Sequence, residues 1–269
     1  GMIADAVSEV MGERAQVTAL MGPGVDPHLY KATQGDLRRL MDADLVFYNG
    51  LHLEGKMGEV LEKVGRLKPV IAVAEGISQE RLLNSTDYAG AYDPHLWFDV
   101  SLWADVVAHI GAVLQEQDPE QADLYAGNAR RYRAQLLALH EEVEAAIATI
   151  PAPQRVLITA HDAFEYFGRA YDIEVRGLQG ISTMSEYGLR DVAELVDFIV
   201  ERRIKAVFVE SSVPRKSLEA VVEGCRQRGH EVQIGGTLYS DAMGAAGTPE
   251  GAYTGMVRYN VNTIVSSLK

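Results

Sequence analysis

The stretch DPEQADLYAGNARRYRAQLLALHEEVEAAIATIP, residues 118–151, predicts one long helix near the middle of the chain. Asp118 suits the cap of this helix and Pro119 suits its first position, because proline lacks the amide proton that a helix start leaves unpaired. About 30 residues at 1.5 Å each give a rod of about 45 Å, enough to cross a small domain, and Pro151 ends it. Apolar residues at steps of three, four or seven form one stripe, which comprises Tyr125, Tyr132, Leu136, Leu139, Val143, Ile147 and Ile150.

Short apolar runs alternate with helical patterns on both sides of this helix. The alternation is typical of βαβ units, so we expect an α/β protein with two lobes, mostly parallel sheets and one long rigid helix between them. The predicted division is an N-terminal lobe over residues 1–117, a linking helix over 118–150 and a C-terminal lobe over 151–269. The predicted strands are 15–22, 44–50, 69–76, 155–161, 205–212 and 231–236, and the predicted helices lie near 2–13, 33–42, 54–67, 101–117, 162–171, 187–202, 214–228 and 252–267.

The composition narrows the classes of function. The 269 residues carry a formal net charge of −13, which argues against nucleic acid or anionic lipid as a partner. No apolar run approaches the ~18 residues of a membrane span. Cys225 is the only cysteine, so an internal disulfide and a thiolate metal cluster are both excluded.

The string Asp-Pro-His-Leu occurs twice, at residues 26–29 and 93–96. In each copy the proline fixes its own φ and pushes the preceding aspartate toward extended geometry. We therefore expect His28 and His95 to stand on stiff turns. A side chain held in this way has less entropy to lose when it binds a ligand.

Four side chains of the metal-ligand type fall where open α/β sheets bind ligands, beyond the carboxyl ends of the strands. His161 ends the run RVLITAH, Asp241 follows the run EVQIGG, and His28 and His95 lie on loops of the first lobe. Three imidazoles and one carboxylate suit a divalent transition metal such as zinc, manganese or iron. Protons compete for imidazoles, so we expect up to about three protons to be released per ion at low pH.

A single histidine in a loop is often only a surface or hydrogen-bonded residue. Glu210, at the end of the run KAVFVE, is a candidate to orient a ligating histidine, while Asp162 suits a helix cap. Three aromatic residues lie near His95 in the sequence, namely Trp97, Phe98 and Trp103. They either exclude water from the site or simply fill the core. The histidines that we interpret as structural are His52, His109, His140 and His230.

Residues 50–57, GLHLEGKM, match the GxxxxGK spacing of a nucleotide-binding phosphate loop. Such a loop needs a hydroxyl group after the lysine to bind Mg²⁺, and Met57 supplies none. The interior of the segment is also bulky where a phosphate would approach. Nucleotide binding is therefore disfavoured.

Motifs that resemble a known family span nearly the whole chain: GPGVDPHLYKAT, DADLVFYNGLHLEGKM, DPHLWFDVSLW, TAHDAFEYFGRAY, GLQGIST, VFVESSVP and GGTLYSDAMG. Together they are similar to the solute-binding proteins of metal-specific ABC transporters, the cluster A-I family, and within it to the TroA-like zinc- and manganese-binding type. The resemblance implies two (β/α) lobes linked by one long helix, with a single metal ion between them. By motif, it implies the ligands His28, His95, His161 and Asp241.

The resemblance also implies a function. The chain is expected to be no enzyme, but a monomer that captures Zn²⁺ or Mn²⁺ in the periplasm or at the cell surface and delivers it to a membrane permease. We expect it to be membrane-associated through a signal peptide or lipid anchor that is not part of this sequence. The alternative is a metal-dependent hydrolase, which needs an open coordination position and a general acid or base; four protein ligands argue against it.

Two departures from the family pattern bear on these expectations. Manganese-dedicated members often have glutamate in place of His161, and zinc-dedicated members often have a long histidine-rich loop, which is absent between His28 and His95. The choice between zinc and manganese therefore stays open. Members also have a β-strand just before the segment GMIADAV, which begins here at Gly1, so we expect the sheet of the first lobe to lack that strand.

Overall fold

The computed structural model describes residues 1–14, 16–85 and 88–269, and it confirms an α/β fold with two lobes and parallel sheets. The first lobe has a short sheet in which two strands pair in parallel, with Val46 opposite Val70. Its elements are the helices α1 (Met2–Met11), α2 (Gln34–Asp42), α3 (Gly58–Gly65) and α4 (Val100–Gln117) and the strands β1 (Val46–Tyr48) and β2 (Val70–Ala72).

The second lobe has a four-stranded parallel sheet with helices between successive strands. Its elements are β3 (Val156–His161), α6 (Glu165–Tyr171), β4 (Glu174–Gln179), α7 (Leu189–Arg202), β5 (Ala206–Glu210), α8 (Lys216–Gln227), β6 (Gln233–Leu238) and α9 (Tyr253–Leu268). The strand order is β4-β3-β5-β6, which places β3 and β5 at the centre. Every residue of β3 is buried, as expected for a central parallel strand that is covered on both faces.

The long helix between the lobes is α5 (Ala122–Ala148), which follows a 3₁₀ turn at residues 119–121. Its 27 residues correspond to about 40 Å. The predicted apolar stripe is buried along its whole length, and α5 packs against α1 and α4 of the first lobe and against α6 and α9 of the second. One continuous hydrophobic core, which includes Val10, Trp103, Leu136 and Ile264, therefore runs through both lobes.

The strand prediction for residues 15–22 is wrong over 16–22, and Ala15 lies outside the described residues. The segment has no strand partner among the described residues, because a cavity of about 840 Å³ separates it from β1. Residues 16–22 and 42–49 both contribute to the lining of this cavity.

The strand β4 was not predicted from the sequence. It lies at the edge of the sheet, and only two of its six residues, Val175 and Leu178, are buried. Glu174, Arg176 and Gly177 interrupt the apolar pattern there, because an edge strand that is covered on one side tolerates charge and glycine on the other.

We predict that Leu136→Ala lowers the free energy of unfolding by about 2–5 kcal/mol, because Leu136 is fully buried in the core along α5 and its truncation leaves a cavity. Leu137→Ala is the matched control on the next position of the same helix. Leu137 is 40% exposed, and its replacement is expected to change the stability by less than about 1 kcal/mol. Urea denaturation measures both values, and equal losses would contradict this description of the core.

Candidate metal centre

The structure brings together the four side chains that the sequence singled out as ligands. His28 and His95 come from loops of the first lobe, His161 is the last residue of β3, and Asp241 follows β6. All four are buried, and one ligand atom from each lies within 4.8 Å of the others. The site therefore lies between the lobes, at the carboxyl ends of the strands of the second sheet.

The two Asp-Pro-His turns are built by local hydrogen bonds. The backbone N–H of His28 donates to Asp26 Oδ1 at 2.8 Å, and that of His95 donates to Asp93 Oδ1 at 2.9 Å. An aspartate that accepts from the backbone two residues later forms a compact turn of its own. Each histidine is therefore fixed by the carboxylate as well as by the proline, which the sequence analysis had not included.

The centre of the cluster is the carboxylate of Asp241. Its Oδ2 lies 3.3 Å from Nε2 of His161 and 3.8 Å from Nε2 of His28, and its Oδ1 lies 3.5 Å from Nε2 of His95. Ligand atoms at about 2.1 Å from one ion in a tetrahedron are about 3.4 Å apart, so these separations fit an ion at the centre. Both carboxylate oxygens face imidazoles, which allows Asp241 to bind through either or both.

Within the described residues, the five converging atoms have no hydrogen-bond partner of good geometry, although they are buried. These are the Nε2 atoms of His28, His95 and His161 and the two oxygens of Asp241. Buried polar atoms are normally paired, because an unpaired one retains the full cost of leaving water. A cation at the centre would satisfy all five at once.

Carboxylates on the outer side of two imidazoles fix their orientation. Asp93 Oδ1 lies 2.7 Å from Nδ1 of His95, and Glu210 Oε2 lies 2.5 Å from Nδ1 of His161. The other Glu210 oxygen, Oε1, accepts from the backbone N–H of His161 at 2.8 Å. With a carboxylate at Nδ1, the imidazole presents Nε2 to the centre and becomes a stronger base toward a metal ion. Glu210 thus contacts His161 through both of its oxygens.

Burial and the neighbouring charges shift the pKa values of the site in opposite directions. Burial lowers the pKa of His28 to about 3, so this imidazole is neutral throughout the physiological range. Burial also opposes the charge on His161, but Glu210 and Asp241 outweigh it and raise the pKa of His161 well above its usual value. Burial opposes ionisation of Asp241 as well, yet the imidazoles, His161 first, hold its pKa well below the usual range. A proton on His161 therefore balances part of the negative charge when no ion is bound.

Three supporting residues were missed by the sequence analysis. Asp93 orients His95, Asp26 holds the turn of His28, and Asn49 donates from Nδ2 to the carbonyl of Pro94 at 2.9 Å, which supports the His95 loop from behind. The signal for the two aspartates was present in the repeated string, where each stands two residues before a histidine. Asn49 had no such signal, because its contact spans 45 residues.

Aromatic residues wall the site on the side of His95. Trp97 is 2% exposed, and its ring lies edge-on to that of His95 with 5.3 Å between the centroids. Phe98 is buried beside Trp97, whereas Trp103 stacks on Tyr253 in the core. Trp97 thus helps to exclude water from the cluster, and Trp103 serves packing.

The remaining histidines are not members of the cluster. The phosphate-loop spacing at 50–57 proves to be a tight turn, with the left-handed residues Gly50, Leu51 and His52 held by Glu54, which accepts from the backbone of Asn49 and Gly50. The surroundings of the four histidines are structural: His52 is exposed, His109 packs on Gly76, His140 contacts the Tyr171 hydroxyl at 3.0 Å and His230 contacts the Ile204 carbonyl at 2.7 Å.

Comparison with known proteins identifies relatives along the whole chain. The profile of the family described as "Zinc-uptake complex component A periplasmic" matches residues 1–267. The manganese-binding lipoprotein MntA of Bacillus subtilis is 55% identical over 267 residues, which cover 99% of this chain and 87% of that protein. The zinc-binding protein TroA of Treponema pallidum is 49% identical over 268 residues, which cover 100% of this chain and 86% of that protein.

Solved structures agree in fold. The periplasmic zinc-binding protein TroA from Treponema pallidum superposes with a TM-score of 0.96 over 99% of this chain and 96% of the other, at 49% identity. The Fe(III)-bound YtgA from Chlamydia trachomatis superposes with a TM-score of 0.90 over 99% of this chain and 95% of the other, at 27% identity.

We predict that metal affinity falls by about ten- to a hundredfold for each unit that the pH drops between 7 and 5. Glu210 and Asp241 raise the pKa of His161, so its proton must be released to the buffer before the imidazole can bind the ion, and at least one proton competes. Burial lowers the pKa of His28 to about 3, so this imidazole is already neutral and the expected release falls below three protons. Calorimetric titration in buffers with different ionisation heats counts the protons; release of three would show that His28 is charged in the metal-free protein.

We also predict that Glu210→Gln weakens metal binding about 10- to 100-fold and reduces the number of protons released at pH 7, because the charge that orients His161 and holds its proton is lost. Glu174→Gln is the control on the edge strand, where Glu174 pairs with surface arginines. The same calorimetric titration measures both variants. An unchanged affinity of the Glu210 variant would remove its assigned role.

Proposed function

The chain belongs to the family of periplasmic component A proteins of zinc-uptake complexes, and we propose that it captures one divalent transition-metal ion, Zn²⁺ or Mn²⁺, and delivers it to the membrane permease of an ABC transporter. The proposed ligands are His28, His95, His161 and Asp241. They are the residues that the family motifs indicate and that geometry brings together.

The observation that carries this proposal is the set of five unpaired, buried donor atoms that converge from both lobes. Such an arrangement costs free energy in the metal-free protein. An ion between the lobes offsets that cost, and it contacts both lobes at once. Binding therefore stabilises the arrangement in which both lobes contact the ion.

The chemical types of the four ligands do not by themselves favour zinc over manganese. Imidazole suits zinc, and the carboxylate, with two oxygens facing the centre, also suits the harder manganese ion. The relatives named above include one called manganese-binding and one called zinc-binding. In solution, however, the general order of affinities places Zn²⁺ above Mn²⁺ at sites of this kind. Selection of manganese, where it occurs, would then depend on which metal is available.

Transport explains the site better than hydrolysis does. A catalytic zinc site has three protein ligands and keeps a position for water, whereas here four side chains from both lobes direct donor atoms to one centre. The family is one of transport proteins. We therefore propose that the chain has no catalytic role; hydrolytic activity of the metal-loaded protein toward simple esters or phosphate esters would contradict this.

We propose that the protein works outside the cytoplasm, as its periplasmic and lipoprotein relatives do, and as a monomer, because one chain supplies the complete ligand set. Among the described residues, no helix combines the length and the hydropathy that crossing a bilayer requires. The proposed division is residues 1–117 and 151–269 for the lobes, with 118–150 between them.

We predict that the purified protein binds one Zn²⁺ or Mn²⁺ ion per chain and that binding raises its melting temperature. The folded site is preformed and the unfolded chain lacks it, so an ion at a thousandfold excess over Kd stabilises the fold by about 4 kcal/mol. Alanine at any of the four proposed ligands should weaken binding by more than about a hundredfold, because the remaining donors leave the ion poorly satisfied. Calorimetry and thermal unfolding provide the two readouts.

The control for these ligand variants is His52→Ala, at an exposed histidine outside the cluster. Its affinity should equal that of the unchanged protein. Competition of the two metals is expected to favour Zn²⁺. Absence of a thermal shift with either ion at neutral pH would refute the proposed function.

A further inference from the structure

The aspartates of the two Asp-Pro-His turns have different hydrogen-bond partners. Asp93 directs Oδ1 to both the backbone and the ring of His95, so it serves that histidine alone. Asp26 accepts from the backbone of His28 through Oδ1, while its Oδ2 accepts from the hydroxyl of Thr183 at 2.6 Å. Thr183 belongs to the second lobe, so the second bond of Asp26 crosses the crevice that holds the site.

The loops of the two histidines are tied to the second lobe to very different extents. In the His95 loop, Trp97 donates from Nε1 to the carbonyl of Ser240 at 3.0 Å, and the Tyr253 hydroxyl donates to the carbonyl of Trp97 at 2.6 Å. Both bonds are buried. For the His28 loop, residues 22–31, the bond from Thr183 is the one hydrogen bond to the second lobe within the described parts of the chain.

His28 is also the least constrained of the three imidazoles. Within the described residues its Nδ1 has no carboxylate partner, whereas the Nδ1 atoms of His95 and His161 each have one. Its Nε2 lies 3.8 Å from Asp241, farther than those of the other two. The position of His28 over the site therefore depends on Asp26 and on the bond that Asp26 accepts.

Thr183 itself stands on a firmly built turn. The side-chain amide of Gln179, at the end of β4, donates to the carbonyl of Thr183 at 2.7 Å, and it also donates to the carbonyl of Ser185. Gln179 lies opposite His161 in the sheet. The hydroxyl of Thr183 is thus held in a fixed relation to the ligands of the second lobe.

We propose that Asp26 is a positioning residue that holds His28 over the metal ion through its bond with Thr183, and that breaking this bond frees His28 as the first ligand to leave. The inference rests on the proposed function, because it concerns how a bound ion is released. A hydrogen bond to a carboxylate is stronger than one between neutral groups, so its loss should speed the release of the ion. Breakage of the half-buried hydrogen bond between Thr183 and Asp26 is then the first step in the release of the ion.

The test compares Thr183→Val, which removes the hydroxyl at nearly constant volume, with Thr183→Ser, which keeps it. Protein loaded with Zn²⁺ is mixed rapidly with excess chelator, and release is followed by a chromophoric chelator and by tryptophan fluorescence, to which Trp97 beside His95 contributes. Release should be about tenfold faster for the valine variant and within about twofold of the unchanged rate for the serine variant. Ser185→Ala, in the same turn, removes an exposed contact with Tyr88 and should have little effect.

The decisive arm repeats Thr183→Val in a His28→Ala background. If the bond acts through His28, the valine substitution adds nothing there. An equal acceleration in both backgrounds, an unchanged release rate for Thr183→Val alone, or the same acceleration from Ser185→Ala would overturn the inference. These outcomes leave the proposed function intact, because that function fails only if the unchanged protein binds no metal ion.

Discussion

A buried carboxylate with two unpaired oxygens is the constraint on which the centre of this protein depends. Asp241 lies out of water among imidazoles, and an isolated charge in such a place is too costly to persist. In the metal-free protein the proton of His161 offsets part of that cost, and Glu210 supports the imidazolium from its other side. Asp241, protonated His161 and Glu210 together still carry a net negative charge. A divalent ion in place of the proton on His161 would cancel that charge. Selection for a cation is therefore built into the electrostatics as well as into the donor atoms.

The sheet of the second lobe places these groups. His161 ends β3 and Glu210 ends β5, and the two strands are neighbours at the centre of the sheet. Gly177 on the adjoining β4 lets the chain turn closely after His161, since a Cβ there would lie 2.6 Å from the backbone nitrogen of Asp162. The close approach of β4 to the chain just after His161 therefore requires glycine at this position.

The sequence predicted the parts of the structure that have strong local patterns. The apolar stripe of α5, most of the strands and the loops that carry His28 and His95 follow from periodicity and from proline. Parts that depend on distant partners were not predicted. Residues 16–22 have an apolar strand pattern but no strand partner in the described part of the chain, and β4 lacks the pattern because it is an edge strand. Identical Asp-Pro-His strings gave no sign that Asp26 would face the opposite lobe, because that contact spans 157 residues.

The continuous core along α5 couples the stability of the fold to metal binding. The same hydrophobic cluster packs along this helix in both lobes, and each lobe also has a smaller cluster of its own, around Leu61 in the first and Val207 in the second. An ion held at the crevice thus stabilises the shared packing along α5 as well as the site itself. The unloaded protein is the less stable population, and its open forms are the ones that proteases cut. Scarcity of metal would therefore shorten the lifetime of the protein. The amount of this protein in the cell would then fall when little metal ion is available.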